Sequence, residues 1–290
     1  MYPEVTIGSL TISMYSIMTA IGVVFGLLVA YFQIYKGEKI SSNTGWRLII
    51  CAAIGALFMY FGASFFDSLF HSIEDGVWRR YGITYLGGVV VGFPVTIILI
   101  HFLVPAAKGR ALYVFSLMVP AVVLAHAFGR IGCFFAGCCY GKVTDLPIGI
   151  VFPPGSDAAI SHFGETLGKT QSSLPVLPTM LFESAFEFIL FFLMLGFRKK
   201  IKGHELEIYL FTYSIFRFIL EFYRGDDRGS IGLGISPAQF LDIFCLVVAV
   251  LIFLFYRQII FKKFYNKCLN WQEEYLSYVR KIAPKDEEDN

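Results

Sequence analysis

Long stretches without a single charged side chain set the terms for what this chain can fold into. Residues 5–35, 48–66 and 111–129 contain no Asp, Glu, Lys or Arg, and residues 83–107 add only His101. About 20 apolar residues are needed to cross a hydrocarbon core, and each stretch reaches about that length. Three later segments, 176–197, 206–223 and 235–257, are comparably apolar but carry isolated charges. The pattern predicts an all-α polytopic integral membrane protein with seven transmembrane helices. Composition agrees: of 290 residues, 56% are hydrophobic and 16% charged, whereas a typical soluble domain carries about 25% charged residues. Disordered, collagen-like and disulfide-stapled secreted chains are thereby excluded. Residues 1–10 hold no basic side chain, so the first apolar stretch is expected to be a span and not a cleaved signal.

The basic residues orient these spans. Lys36, Lys39, Arg47, Lys108, Arg110, Arg198, Lys199, Lys200 and Lys202 fall in alternate loops, and Lys262, Lys263 and Lys267 follow the last span. The intervening loops hold the sparser set Arg79, Arg80, Lys142, Lys169, Arg224 and Arg228. The positive-inside rule then gives an N-out, C-in topology. Residues 1–260 are expected to form the membrane domain, and 261–290 a cytoplasmic amphipathic tail that ends in an acidic run. The stretch 140–175, with Pro147, Pro153, Pro154 and several glycines, is expected to be a long irregular outer loop between the fourth and fifth helices. Residues 41–45 read as a polar turn. Gly22-x-x-x-Gly26 and Gly88-x-x-x-Gly92 are spacings that let helices approach closely.

Ionisable residues in hydrocarbon are costly and therefore mark candidate sites. Here they are His101, His126, Arg130, Glu183, Glu187, Arg217, Glu221 and Asp242. In the expected topology Arg130 lies at the outer end of the fourth helix with His126 one turn deeper. Arg217, Glu221 and Arg224 share one face of the sixth. Three arginines converging on the outer leaflet suit an anionic phospholipid headgroup, because the guanidinium fork matches phosphate and stays charged. The alternative is a structural Arg217–Glu221 pair with snorkelling Arg130 and Arg224. Glu183 and Glu187 are open to either role. His101 reads as an interfacial packing residue and Asp242 as a helix-packing hydrogen bonder.

The densest chemistry lies in residues 125–141. Gly129, Gly132, Gly137 and Gly141 let the backbone leave a helix and approach a ligand. Cys133, Cys138 and Cys139 fall within seven positions, open to disulfide formation, metal binding, nucleophilic chemistry or plain packing. Their C-x4-C-C spacing lacks the paired C-x2-C hooks of a structural zinc site, so no metal and no cofactor are expected. Cys51, Cys245 and Cys268 are isolated.

In combination these motifs resemble the prolipoprotein diacylglyceryl transferase family, over most of the chain. Gly129-Arg130-Ile131-Gly132 with Gly137 and Gly141 looks like the family signature after its fourth helix. Tyr213-x-x-x-Arg217-x-x-x-Glu221-Phe222-Tyr223-Arg224 looks like its sixth-helix motif, Tyr15 matches a first-helix tyrosine, and Ser236-Pro237-Ala238-Gln239 also fits. The resemblance implies transfer of the diacylglyceryl group of phosphatidylglycerol to the thiol of a prolipoprotein's lipobox cysteine, with release of glycerol phosphate. It places the enzyme in the bacterial cytoplasmic membrane, multi-pass, with its site toward the outer leaflet. Its expected partners are phosphatidylglycerol, prolipoproteins and the lipid bilayer, with no nucleic acid. Carried over, Arg130 and Arg217 are catalytic, and Tyr15, Gly129, Gly141, Tyr213, Glu221 and Arg224 bind substrate. The family usually has a His before a Gly-Gly pair in the third helix, whereas this chain has Leu86 before Gly87 and Gly88. Cys133 and Cys138 stand at the signature's Asn and Glu positions. The chain thus resembles a divergent, cysteine-rich branch, and His126 is the substitute general base. The rival expectations are a related headgroup transferase with another acceptor, a noncatalytic lipid binder and a membrane thiol–disulfide redox protein.

Overall fold

Inside an apolar phase every backbone N–H and C=O needs a partner from the chain itself, and a helix supplies them all. The computed structural model, which describes residues 4–7, 10–36, 42–78, 84–226, 234–257, 266–274 and 277, is accordingly built of helices. They are α1 Met14–Tyr31, α2 Ser42–Asp75, α3 Tyr85–Leu103, α4 Ala111–Ala136, α5 Asp157–Leu167, α6 Thr179–Gly196, α7 Arg198–Ile201, α8 Glu205–Glu221 and α9 Pro237–Tyr256. Among the described residues six of them, α1, α2, α3, α4, α6 and α9, are long and apolar enough to cross a membrane. The chain is therefore an all-α polytopic membrane protein. α8 is shorter, at 17 residues, and carries Glu205, Glu207, Arg217 and Glu221.

α4 is the central post. Of its span 72% is buried, against 22% of the span containing α1, whose Val23, Val24, Phe25, Leu27 and Leu28 are exposed as a lipid-facing surface would be. The Gly22 and Gly26 spacing is used: a Cβ on either would lie 2.9 Å from a carbonyl oxygen of α4, that of Ala125 or Ala121. Gly88 and Gly92 do the same for α3 against α2, where Met59 fills the space a Cβ would need. Such small-residue seams let van der Waals contact between backbones replace the missing hydrophobic drive.

Several expectations are corrected. The first apolar stretch is not helical throughout, because an antiparallel hairpin, β1 Glu4–Ile7 with β2 Leu10–Ser13, precedes α1. Its β-branched residues Val5, Thr6, Ile7, Thr11 and Ile12 favour extended backbone, and the Ser13 hydroxyl caps α1 by accepting from the Ser16 N–H. The polar turn at 41–45 is, from Ser42, the first turn of α2. The glycine-rich signature does not leave the helix at Gly129. α4 runs on to Ala136 and ends at Gly137, whose φ of 71° is the left-handed cap that glycine adopts without penalty. The 140–175 loop is partly ordered by structure of its own. It contains α5, capped by Ser156, and β-bridges join Val176 to Val143 and Ile150. Most of the 261–290 tail, and the basic residues Lys39, Arg79, Arg80 and Arg228, lie outside the described residues; within the tail, residues 266–274 are helical.

Candidate active site

Arg130 is the hub. It sits on α4 facing α6, and its Nη2 lies 2.8 Å from Oε1 of Glu183. The same oxygen accepts the Tyr213 hydroxyl from α8 at 2.6 Å. Glu183 and Glu187 are fully buried one turn apart on α6, and the Oε2 of each has no partner among the described residues. Arg130 Nε donates to His126 Nε2 at 3.3 Å, and His126 Nδ1 meets Glu187 Oε1 at 2.9 Å. With Nε2 accepting, the imidazole proton belongs on Nδ1, pointing at Glu187. The ring is also stacked on Tyr85, centroids 3.8 Å apart, and Tyr85 reaches the Tyr209 hydroxyl at 2.9 Å. Four helices thus meet around one buried guanidinium. A buried charge of this kind is tolerated only when its counter-charge and hydrogen bonds are all in place.

Arg217, also buried, is paired with Glu221 one turn along α8, and Ser236 at the start of α9 donates to the other Glu221 oxygen at 2.7 Å. Ser236 and Gln239 form a reciprocal capping box that fixes this end of α9. Between the two arginines lies a small cleft lined by Thr84, Tyr85, Leu86, Arg130, Tyr213, Arg217, Pro237 and Ala238. A larger cleft at the opposite end of α4, lined by Leu48, Val104, Ala107 and Val114 among others, gathers none of the expected site residues.

The expected residues therefore divide. Arg130, Arg217 and Tyr213 share the cleft, and Glu221 backs it through Arg217. Arg224 does not line it; its guanidinium grips both oxygens of Asp226 at 2.7 Å, and its backbone bridges to Gly141. Gly141 is needed at that junction, since a Cβ there would lie 2.7 Å from Leu177 Cβ. At Gly129 a Cβ would meet nothing within 4 Å. Tyr15 packs on Gly132 beside the cysteines. His126 is not a cleft-lining residue. Its Nε2 accepts from Arg130, its Nδ1 faces Glu187, and its ring is buried under Tyr85. Leu86 lines the cleft where the family histidine was expected. Asp242 is buried without a hydrogen bond among the described residues, contrary to its expected packing role. His101 does pack, against Phe102 and Trp271.

The three clustered cysteines flank the far side of Arg130, whose Nη1 lies 3.5 Å from Cys139 Sγ and 4.0 Å from Cys133 Sγ. No disulfide joins them. Cys139, with φ 60°, is the one non-glycine residue among those described in the left-handed region, and its carbonyl is held by Thr179 Oγ1 at 2.9 Å. Beyond the end of α4, hydrogen bonds with Cys133 and Cys139, and then burial, push the Cys138 thiol far above its ordinary range. Asp157, at the start of α5, is raised first by burial and then by Cys139 and Asp226.

Sequence reasoning missed four residues. Tyr85 and Tyr209 carry no charge and so raise no signal in an apolar run. Asp67 lies one residue past the second uncharged stretch, yet accepts the Thr84 hydroxyl at 3.0 Å and so anchors a cleft-lining residue. Glu205 is buried, bonded to Ser116 and to the Gly203 N–H, and was passed over because it falls just outside the sixth apolar segment.

Fold and cluster together define a polytopic helical membrane protein with a buried, arginine-lined cleft. The chain belongs to the prolipoprotein diacylglyceryl transferase family, whose model matches residues 4–256. A phosphatidylglycerol–prolipoprotein diacylglyceryl transferase 2 of Clostridium perfringens is 43% identical over 148 residues, 50% of this chain and 53% of that protein. The Clostridium tetani transferase is 39% identical over 140 residues, covering 48% and 51%. A Dehalococcoides mccartyi transferase is 28% identical over 269 residues, covering 87% and 92%. The chain thus spans about half the length of the two clostridial relatives and most of the third.

Proposed function

We propose that the chain is a membrane transferase that moves the diacylglyceryl group of phosphatidylglycerol to the thiol of a prolipoprotein lipobox cysteine and releases glycerol phosphate. The observation that carries this reading is the cleft shared by Arg130 and Arg217, two buried guanidinium groups from different helices. Two such groups can hold one phosphodiester and stabilise the phosphate charge as the carbon–oxygen bond breaks, and fixed donors aimed at developing charge commonly supply the largest catalytic term. Glu183 and His126 position Arg130, Glu221 positions Arg217, and Tyr213 closes the cleft wall. Tyr15, Gly129, Gly141 and Arg224, which lie outside the cleft lining, are assigned to substrate binding by the family resemblance. Every relative cited above is named for this activity.

Residues 1–260 form the transferase domain and 261–290 its cytoplasmic tail. α8 counts as a seventh span, a reading supported by its contacts. The start of α6 meets the end of α4 through Glu183 and Arg130, while the end of α8 meets the start of α9 through Glu221 and Ser236. α8 thus returns the chain to the end it left along α6. With the N-terminus outside, that end is the outer leaflet of the bacterial cytoplasmic membrane, where phosphatidylglycerol and an exported prolipoprotein meet.

Leu86 in the cleft favours a second reading, transfer to a different nucleophile. The experiment that separates them supplies purified protein with phosphatidylglycerol and a lipobox peptide, and follows peptide lipidation and glycerol phosphate together, with Arg217→Ala as control. Both products in the wild type and neither in the control support the first reading. Glycerol phosphate without lipidated peptide supports the second, and neither product from a folded sample overturns both.

A further inference from the structure

The cleft poses a chemical problem that the cysteine cluster resolves. A thiol acceptor must lose its proton before it can attack carbon, yet no cleft-lining residue is a carboxylate or an imidazole, and both nitrogens of His126 are already engaged. On the other side of Arg130 three cysteines bring their Sγ atoms within 4.8 Å of one another. Cys133 is buried, whereas Cys138 and Cys139 are half-buried. A tetrahedral zinc ion with Zn–S of about 2.3 Å separates its sulfurs by about 3.8 Å, so closing the trio onto the ion takes a shift of about 1 Å or less. Three protein ligands with a fourth position open is the arrangement of catalytic zinc; closed structural sites use four.

We propose that Cys133, Cys138 and Cys139 form a binding site for one thiophilic divalent ion, zinc, whose fourth position takes the thiol of the acceptor. The ion-binding part stands on the cluster alone, and the fourth-ligand part rests on the transferase reading. Charge supports it. Three thiolates around a divalent ion leave one net negative charge, and the guanidinium of Arg130 lies beside two of the sulfurs, with Nη1 3.5 Å from Cys139 and 4.0 Å from Cys133. Backbone geometry supports it too. The helix ends at Gly137, Cys139 adopts the left-handed region, and Thr179 holds the Cys139 carbonyl, so the chain turns back to bring Cys138 and Cys139 over Cys133. The absence of C-x2-C hooks speaks against a closed structural site with four protein ligands.

The chemistry balances. The acceptor thiol binds the ion as its thiolate, and its proton passes to water. The thiolate sulfur forms a carbon–sulfur bond to the glycerol carbon as that carbon's bond to the phosphate oxygen breaks. The electron pair departs on glycerol phosphate, between Arg130 and Arg217. No oxidant or reductant takes part.

The test uses full-length protein in detergent, reduced, freed of metal by a chelator and then titrated with Zn(II) or Co(II). One equivalent of zinc is expected. Co(II) is expected to give sulfur-to-metal charge-transfer bands that weaken in C133S, C138S and C139S and vanish in the triple variant. A lipobox peptide is expected to shift the cobalt d–d bands where its Cys→Ser counterpart does not, and chelation is expected to cut transfer about 10²-fold, as loss of a general base does, with zinc restoring it. Because wild-type apo and zinc forms are compared, the result does not depend on any variant folding. No stoichiometric uptake by the reduced protein overturns the site. Uptake without a thiol-dependent shift overturns the fourth-ligand role. Full transfer by metal-free protein overturns the zinc role and leaves the transferase reading standing. Metal bands and a thiol-dependent shift without transfer products support the site and overturn that reading.

Discussion

Arg130 and Arg217 line the same cleft but are held in different ways. Arg130 is fixed from across the bundle, by Glu183 on α6 and, through it, Tyr213 on α8, with His126 one turn away and itself anchored to Glu187. Arg217 pairs with Glu221 on its own helix, and Ser236 at the start of α9 steadies that carboxylate. One guanidinium therefore reports on how the helices pack, and the other on the local order of α8 and the cap of α9. Two groups of the same chemistry can thus fail for different reasons, which gives the experiments their logic.

The largest expected effects are those of Arg130→Ala and Arg217→Ala, each lowering transfer by about 10²–10³-fold, the range for loss of a fixed charge-stabilising donor. They should differ in stability. Arg130→Ala strands Glu183 in the bundle, where breaking a buried pair costs about 3–5 kcal/mol, and its melting temperature should fall further than that of Arg217→Ala. Equal losses in thermal unfolding would break the comparison. Next, Glu183→Gln should lower kcat/KM by about 10²-fold, and Glu221→Gln by about tenfold because Ser236 and the helix still constrain Arg217. Steady-state kinetics of both variants decide this, and the reverse order would make Arg217 the more dependent group. Tyr213→Phe, which removes one neutral donor from Glu183, should cost about 1 kcal/mol, a fivefold loss in kcat/KM.

The smallest effect lies outside the membrane. Asp157 has its folded-state pKa raised, chiefly by burial. Its contribution to stability is therefore complete below the ordinary carboxylate range, near 4, and is lost as pH rises through the raised value. Asp157→Asn should accordingly match the wild type at low pH and gain on it as pH climbs, read as melting temperature against pH. A variant that loses ground as pH rises contradicts the sign of the shift.

What could be read from the sequence was what depends on near neighbours or on a property of the whole bilayer. The apolar runs announced the helices because hydrocarbon leaves the backbone no alternative. The glycine pairs on α1 and α3 announced helix seams, and Arg217–Glu221 was visible as an i, i+4 pair. The hairpin before α1 was hidden by the same signal that revealed the helices, since an uncharged β-branched segment and an uncharged span look alike in charge. The Arg130–Glu183–Tyr213 junction joins residues 53 and 30 positions apart, a relation that exists only once α4, α6 and α8 are packed. Its charged members could be named individually, but their pairing could not. For the cysteines the spacing gave proximity along the chain, while closure into a trio came from the turn at Gly137 and the left-handed Cys139.

The shared oxygen of Glu183 also has a genetic consequence. A single carboxylate atom serves an arginine of one helix and a tyrosine of another, so a substitution at any of the three positions changes what the other two will tolerate. These sites should be epistatic: double variants among Arg130, Glu183 and Tyr213 should lose far less than the sum of their singles. Drift at these three positions is then concerted across three helices, while the lipid-facing side of α1, with Val23, Val24 and Leu27, stays free to vary.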